Sequence, residues 1–220
     1  KDIFNMMPMN LREFIVNDST EMGKIPEKDR ASALEVKVLG YLWDSVKDTW
    51  TIKISEPKED HPTKQNVASR LAETFDPLGY TVPILVPFKR LMQMCWLDGM
   101  RWKDRIPQKL LVDWQKVKEV LQDKSLTIPR QLTVRYDYES FRLMVFTDAS
   151  KDMMAATIYA HYSFHDAPPV VTLLAAKNKI KSAKNENWTI PKLELFAIEI
   201  GTNLAVNTVQ EIRIPVTEVC

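Results

Sequence analysis

The sequence predicts a mixed α+β fold in three parts: a β-hairpin within residues 1–56, a helical module over 57–127 and a β-β-β-α-β segment over 128–220. Three patterns predict this organisation. Two early runs are rich in β-branched and aromatic residues, which favour strands. The middle of the chain repeats apolar residues every three or four positions, as amphipathic helices do. Beyond residue 127 the apolar period shortens to about two, which is typical of strands.

Composition limits the class of protein. With 220 residues and 45% apolar content, the chain can bury a substantial core in one or two domains. The net charge is only +1, but residues 64–130 carry 12 Lys or Arg against 7 Asp or Glu. This local excess is compatible with a polyanionic partner, and a solvated helix surface explains it equally well.

The cysteines and the hydropathy pattern bear on location. Cys95 and Cys220 lie far apart and neither belongs to a CxxC or Cys/His pattern. We therefore expect neither a disulfide scaffold nor a zinc site, and an intracellular, cytoplasmic or nuclear, location. No apolar run approaches the ~20 residues needed to span a bilayer, so no membrane partner is expected. The last residues read as part of a strand, and we expect the chain to be a fragment.

The first predicted element is a β-hairpin. Residues 36–43 and 49–54 form its two strands, and the polar residues 44–48 form the connecting loop. Gly40 lies inside the first strand, where a glycine indicates a bulge or a close backbone approach, although packing alone could also require it.

A helical module follows a charged, proline-flanked linker at residues 56–62. Thr63 is a suitable N-cap for a first helix. The apolar spacing predicts a second helix over 86–97 and a third over 110–121. The large apolar residues of this region, among them Trp96 and Trp102, are predicted to lie in the core.

The C-terminal part predicts three strands, over 141–147, 155–162 and 170–176. The short loops between them predict an antiparallel meander. A helix over 192–207 follows, preceded by a proline that suits a first helical turn. A last strand is predicted between 211 and 219.

Asp148 is the first candidate site residue. It follows a strand whose two faces both carry apolar residues, so we expect an interior strand buried on both sides. A carboxylate at the end of such a strand is costly to desolvate unless a cation or hydrogen-bond donors neutralise it. A metal ligand is one interpretation, and an ordinary turn opened by Asp148 and Ser150 is the other.

Glu194 is the second candidate. At helical spacing its neighbours are small or apolar, so it is expected to lie beside the buried stripe of the last helix. An acidic residue favoured by the helix dipole is the alternative. If Glu194 approaches Asp148, the two carboxylates would need a hard divalent cation, Mg²⁺ or Mn²⁺, between them. Two-metal phosphodiester hydrolysis needs more carboxylates than these two.

Several motifs resemble the Pol polyprotein of Bel-Pao LTR retrotransposons. Those resembling its RNase H segment are Phe146-Thr147-Asp148-Ala149-Ser150, Ala176-Lys177 and Thr189-Ile190-Pro191-Lys192-Leu193-Glu194-Leu195. Those resembling its reverse transcriptase are Asn10-Leu11-Arg12, residues 38–44, Thr63-Lys64 with Arg70, and Phe75-Asp76-Pro77-Leu78-Gly79. The resemblance covers nearly the whole chain.

The resemblance implies a palm-edge hairpin, a helical thumb or connection module and a truncated RNase H-like domain. It implies that Asp148 and Glu194 are catalytic metal ligands for cleaving RNA in an RNA·DNA hybrid, with Mg²⁺ or Mn²⁺ as cofactor. Substrate or template-primer contacts are then expected from a further set of residues. These are Gly40 and Tyr41 of the hairpin, Lys64 and Arg70 of the helical module, and Lys177 and Lys179 of a basic loop over 177–184.

The chain also departs from the family pattern. Ala155 stands where Gly is usual and Lys192 where Arg is usual. The later RNase H carboxylates and the polymerase Asp pair are expected outside the chain, which should therefore be catalytically incomplete without the rest of the polyprotein. Such regions are also labelled peptidases, but the Asp-Thr-Gly or Asp-Ser-Gly of an aspartic peptidase does not occur. A non-catalytic module that binds nucleic acid or protein remains the alternative function.

Overall fold

A computed structural model describes residues 11–133, 135–182 and 187–220. Asn10, the first residue of the Asn10-Leu11-Arg12 motif, lies outside the described residues, as does Lys184 of the predicted basic loop. The chain divides into two compact units: Lys1–Lys53 with Ser125–Gln131, and Ile54–Lys124 with Leu132–Cys220. Within the described residues, no helix has the length and apolarity that crossing a membrane requires.

The first unit contains a four-stranded antiparallel sheet. A short helix α1 (Ser19–Lys24) precedes it, with Asp18 as N-cap. The strands follow in spatial order as β1 (Glu35–Val38), β2 (Tyr41–Asp44), β3 (Thr49–Lys53) and β4 (Ser125–Pro129).

The prediction of one strand over residues 36–43 is wrong, because the chain turns at Leu39 and Gly40. Val38 pairs with Tyr41, so only these two residues form the connection. Both have positive φ, 49° for Leu39 and 94° for Gly40. A two-residue hairpin loop with both central residues at positive φ matches the twist of the flanking strands, and Gly is favoured there. Gly40 therefore makes a tight turn and is not part of a bulge.

Residues 127–130, which the sequence pattern indicated as a break, are largely in a strand. Ile128 of β4 pairs with Trp50 of β3, and Thr127 pairs with Thr51. The proline ends the strand at Pro129, where a missing N–H is tolerated. A pairing between segments more than 70 residues apart leaves no local signal in the sequence.

An ion pair closes the turn between β2 and β3. Asp48 has a positive φ of 52°, and its Oδ2 accepts a 2.8 Å hydrogen bond from Nη2 of Arg130. Trp43 Nε1 donates to the same carboxylate at 3.0 Å. Hydrogen bonding and the charge of Arg130 lower the pKa of Asp48.

We expect Asp48→Asn to lower the free energy of unfolding by about 1 kcal/mol at neutral pH, because the pair is partly screened by solvent. A depressed carboxyl pKa stabilises the fold above the unfolded value of about 4, and this contribution is lost as pH falls through the folded value. The difference between wild type and variant should therefore vanish in acid. Chemical unfolding across acidic pH measures it, with Asp113→Asn as the surface control. A difference that persists in acid would contradict the ion-pair origin.

The second unit begins with the helices α2 (Lys64–Glu73), α3 (Val82–Leu97) and α4 (Gln108–Leu121). The three predicted helices are confirmed. Thr63 caps α2 as predicted: its Oγ1 accepts from the Asn66 N–H, and its own N–H donates to Asn66 Oδ1. Phe88 and Trp114, whose rings lie 5.7 Å apart, occupy the centre of the core between α3 and α4.

Trp96 and Trp102 do not lie in that core, so this part of the prediction is wrong. Trp96 is 56% exposed and Trp102 is 51% exposed. Their rings meet edge to face at 5.6 Å. Cys95 and Leu91 take the inward positions at this end of α3, so the helical period carries Trp96 to the surface.

The rest of this unit is a second four-stranded sheet with one long helix. The strands are β5 (Ser140–Ala149), β6 (Met153–Ser163), β7 (Val170–Ile180) and β8 (Glu218–Val219), and the helix is α5 (Ile190–Glu211). The spatial order is β7-β6-β5-β8, with β8 parallel to β5 and the other pairs antiparallel. The predicted meander and the β-β-β-α-β order are confirmed. The last strand is much shorter than predicted, because α5 continues to Glu211.

Helix α5 packs on one face of this sheet through a glycine. A Cβ at Gly201 would overlap the Thr147 methyl group and lie 3.2 Å from Val145 Cγ1. Leu204 and Ala205 join the core cluster that contains Phe141 at the start of β5, so α5 runs antiparallel to β5. The beginning of α5 therefore lies near the C-terminal end of β5.

The loop between α2 and α3 contacts the edge strand β7. Ala176 N–H donates to the Leu78 carbonyl oxygen at 2.7 Å. Asp76 holds the loop, since its carboxylate accepts from the N–H groups of Gly79, Tyr80 and Thr81. A backbone bond to an otherwise open strand edge covers part of that edge.

Candidate functional site

Asp148 is the penultimate residue of β5 and is exposed. Its Oδ1 accepts a 2.8 Å hydrogen bond from the Ala149 N–H. The expected burial of β5 on both faces is wrong: Phe146, on the same face as Asp148, is 53% exposed. The strand has neighbours on both edges, but α5 covers one face only. Desolvation therefore gives no reason for a cation at Asp148, whereas an exposed carboxylate is accessible to one.

Glu194 is the fifth residue of α5 and is also exposed. The sequence predicted that Glu194 lies beside the buried stripe of this helix. The neighbouring Leu193 is fully buried, but Glu194 itself is exposed to solvent. The helix begins at Ile190, two residues earlier than predicted. The helix dipole acts mainly on residues of the first turn, and Glu194, the fifth residue, lies just beyond it. The dipole therefore explains little about Glu194.

Both carboxylates lie beside one small apolar cluster. Leu193 and Met154 are buried in it, and Ala149 packs against it. Glu194 follows Leu193 in the chain and Asp148 precedes Ala149. The cluster thus brings the two acids to the same end of the sheet.

Strand geometry adds a constraint. Thr147 faces α5, and alternation places the Asp148 side chain on the other face of the sheet. Glu194 lies seven residues before Gly201, about 10.5 Å along the helix axis. For both carboxylates to reach one cation, they must therefore meet around the end of β5.

The donor chemistry fits a hard divalent cation in kind but not in number. Carboxylate oxygens suit Mg²⁺ and Mn²⁺. Within residues 11–133, 135–182 and 187–220, no group of three or more His, Cys, Asp or Glu side chains is arranged to hold a metal ion. Asp148 and Glu194 can therefore supply part of a ligand set.

Lys64, one of the predicted phosphate contacts, is buried and its ammonium has partners within the fold. The residue is only 2% exposed. Its Nζ donates to the Met100 carbonyl oxygen at 2.8 Å and lies 3.2 Å from the centre of the Trp96 ring. A buried ammonium needs such partners, because an unpaired charge is costly to desolvate. Lys64 ties the start of α2 to the α3–α4 connection.

We expect Lys64→Met to lower the free energy of unfolding by about 2 kcal/mol, through loss of the cation–π contact and the hydrogen bond. Chemical unfolding measures this, with the exposed Lys116→Met as control. The salt dependence of nucleic-acid binding is a second measurement on the same variant. A phosphate contact would reduce the salt slope of binding by about one; the buried position of Lys64 predicts no change in slope.

Arg70 and Tyr41, which were also predicted to contact the substrate, have partners within the protein. Arg70 forms ion pairs with Glu59 and Glu73, at 2.6 Å and 2.8 Å. Tyr41 is 8% exposed and its ring packs against Trp50 at 5.6 Å. Gly40 sets the turn before it. Tyr41 is therefore a core residue of the first unit, and its contact with the primer stays a prediction.

Lys177 and Lys179 are exposed, as a phosphate contact requires, but they are not in a loop. Both belong to β7, which extends to Ile180. Residues two apart on a strand point to the same face, so the two ammonium groups form a short basic row on an edge strand. The prediction of a basic loop from residue 177 is wrong in its structure, because the strand continues four residues further than the apolar run.

Sequence reasoning missed a second feature of this edge. Lys89 and Gln93 of α3 reach β7 and the residues that follow: Lys89 Nζ donates to Asn178 Oδ1, and Gln93 Nε2 donates to the Lys181 carbonyl oxygen. Burial lowers the pKa of Lys89. The adjacent Lys89-Arg90 pair was the visible signal, but Asn178, the partner of Lys89, lies 89 residues further along the chain.

A family model described as "Pao retrotransposon-like RNaseH-like domain" matches residues 63–220. The chain belongs to this family. The match includes the three helices, β5 to β8, α5 and both candidate carboxylates, and it confirms the retrotransposon resemblance and the RNase H-like assignment. RNase H-like domains generally use divalent metals.

Two solved structures are similar to this chain. Both are foamy viral protease-reverse transcriptases in complex with double-stranded DNA, one of them a dRH form. The dRH structure has 14% identity and a TM-score of 0.46, over 86% of this chain and 31% of that one. The other has 16% identity and a TM-score of 0.45, over 87% and 37%. The chain thus spans about a third of their length. Among curated proteins, none matches it in sequence.

Proposed function

We propose that the chain is part of a retrotransposon reverse transcriptase–RNase H polyprotein and binds an RNA·DNA hybrid or template-primer duplex. In this proposal residues 1–56 are the end of the palm, 57–127 the thumb or connection, and 128–220 an RNase H-like domain. The observation that carries it is the position of two exposed acids, Asp148 and Glu194, beside one apolar cluster within the family match.

The proposed reaction is hydrolysis of the RNA strand of the hybrid in the intact polyprotein. A bound Mg²⁺ or Mn²⁺ would activate water and stabilise charge on the phosphate. Asp148 and Glu194 would hold the metal, and the packing of Leu193 beside Ala149 would fix their separation. Further ligands would have to come from elsewhere in the polyprotein. The chain alone is proposed to bind substrate without cleaving it.

Exposed basic residues support the choice of substrate. Lys177 and Lys179 form no ion pair with any of the described residues, and they lie on the sheet that carries Asp148. Phosphate contacts of this kind recognise a duplex by its backbone and shape, and not by base sequence. Lys177 pairs with Ala156, which lies against Gly201, so the lysine row is on the α5 face of the sheet and Asp148 is on the other face. A hybrid that meets both the lysines and Asp148 must therefore pass around an edge of the sheet.

A salt titration of hybrid binding tests this proposal. The affinity of the chain for a labelled RNA·DNA hybrid should fall steeply with salt, and Lys177→Gln with Lys179→Gln should reduce the slope of log affinity against log salt by about two. Lys116→Gln with Lys47→Gln is the charge-matched control, since both lysines are exposed and neither belongs to a strand of this sheet. Affinity without salt dependence would remove the nucleic-acid part of the proposal.

The second candidate is a non-catalytic module that binds nucleic acid or protein. It is favoured by the finding that the described residues offer no complete metal-ligand group. A longer Pol chain carrying this segment separates the two. The enzyme proposal predicts cleavage of the RNA strand that Asp148→Asn abolishes, whereas the binding module predicts hybrid affinity that Asp148→Asn leaves unchanged and no cleavage.

A further inference from the structure

A groove beside the lysine row has the features of a single-strand binding site. It lies between α3 and the end of β7, has a volume of about 700 Å³, and is lined by Trp96, Lys89 and Gln93 on one side and residues 178–182 on the other. We refer to it as the Trp96 groove. Its volume is in the range of sites that hold whole ligands.

The charges of the groove match a polyanion. Lys89, Lys179 and Lys181 line it, and no Asp or Glu is among its described lining residues. At its margin, Arg90 pairs with Asp152 at 3.4 Å. Lysines on both walls favour a ligand with phosphates along its length.

Trp96 gives the groove an aromatic wall. The Lys64 ammonium covers one face of the indole and Trp102 meets it edge on. The residue nevertheless remains 56% exposed, so much of the ring is open to solvent. An exposed indole next to lysines is the combination with which proteins bind single-stranded nucleic acid, because every base has a face that can stack.

The groove is also aligned with Asp148. In the sheet, Asp148 pairs with Ala155 and Ala155 pairs with Asn178, so these three residues form one row. Directly paired residues share a face. Two strand spacings, about 10 Å, separate Asp148 from Asn178, and Asn178 accepts the hydrogen bond from Lys89 at the groove. Ala155 lies between them, and its small side chain does not obstruct a strand that runs from Asp148 to Asn178.

We propose that the Trp96 groove binds an unpaired strand that continues from the hybrid at Asp148, with a base stacked on Trp96 and phosphates against the lysines. This inference rests on the hybrid-binding function proposed above and adds a single-strand subsite to it. A duplex presents its bases stacked inside, so only an unpaired end can place a base on the indole.

Binding of two labelled substrates tests the subsite: a blunt RNA·DNA hybrid, and the same hybrid with a short single-stranded tail. The tail should tighten binding about tenfold, the effect of one stacked base. Trp96→Leu should remove this gain and leave blunt-hybrid affinity unchanged. Lys179→Glu, at an exposed strand position, should reduce the gain without affecting folding, while Lys116→Glu should not.

The outcomes separate this inference from the function on which it rests. Blunt hybrid bound with no gain from the tail would overturn the subsite alone, as would a gain that survives both Trp96→Leu and Lys179→Glu. Failure to bind either hybrid would overturn both proposals. If melting shows that Trp96→Leu is unfolded, the comparison of Lys179→Glu with Lys116→Glu decides.

Discussion

Replacing Gly79 with alanine should lower the free energy of unfolding by about 4 kcal/mol, the sum of backbone strain and a broken edge contact. Gly79 has a φ of 80°, which an L-residue rarely adopts. An added Cβ would also overlap the Ala176 carbonyl oxygen in β7. A backbone carbonyl cannot turn aside as a side chain can. The loop would therefore have to move away from β7, breaking the bond between Ala176 N–H and Leu78.

Two other glycines separate the strain from the overlap. Gly99 also has a positive φ, 65°, but a Cβ there would meet nothing within 4 Å, so Gly99→Ala should lose only the strain part, about 1 kcal/mol. Gly23 lies in α1 with open space around it, so Gly23→Ala should be neutral or slightly stabilising. Chemical unfolding of the three variants measures all of this. Equal losses for Gly79→Ala and Gly99→Ala would show that the contact with β7 contributes nothing.

Replacing Gly201 with leucine should lower the free energy of unfolding by about 3 kcal/mol, at the upper end of typical overpacking effects. Even a Cβ at this position would overlap the Thr147 methyl group and press on Val145. Helix α5 would have to lift from the sheet at the contact next to Asp148. The same displacement should weaken any metal bound by Asp148 and Glu194. Unfolding measurements and Mn²⁺ titration test the two effects.

Matched variants establish the cause. Asn203→Leu places the same side chain on the exposed face of α5 and should change stability by less than about 0.5 kcal/mol. Gly201→Ala should be less damaging, and adding Thr147→Ser should restore part of its loss, because serine lacks the overlapping methyl group. A double-mutant cycle measures that coupling. Independent, additive effects would contradict close packing of Gly201 on Thr147.

Local patterns in the sequence predicted much of the second unit. Thr63 signals a helix start because an N-cap acts on the residues that directly follow it. The strands β5 to β7 are short runs rich in apolar residues and are joined by short turns, so their antiparallel order needed no long-range information. The helix α5 was recognised from its apolar period, although both ends lie outside the predicted range.

The errors arise where distant segments decide the structure. Residues 125–129 become a strand only because β3 lies beside them. Trp96 looks like a core residue by period, yet it is exposed and covers Lys64, which looks like a surface residue. The turn at Leu39 was missed because a leucine at positive φ is uncommon and nothing in the local apolar pattern marks it.

The candidate site was also predicted only in part from the sequence. The motifs identified Asp148 and Glu194, and the packing of Leu193 near Ala149 brings them to one end of the sheet. Their exposure was not predicted, because the apolar residues on both faces of β5 suggested a second covering layer. Within the described residues, α5 covers only one of those faces.

The most direct test of a shared metal ion is a crystal structure of this chain with Mn²⁺, using anomalous scattering to locate the ion. Our account predicts one Mn²⁺ at the end of β5, with an oxygen of Asp148 and an oxygen of Glu194 each at about 2.1 Å, near the distance for a hard divalent ion. Asp148→Asn or Glu194→Gln should each remove the peak. No ion at saturating Mn²⁺, or carboxylates bound to separate ions, would contradict the account.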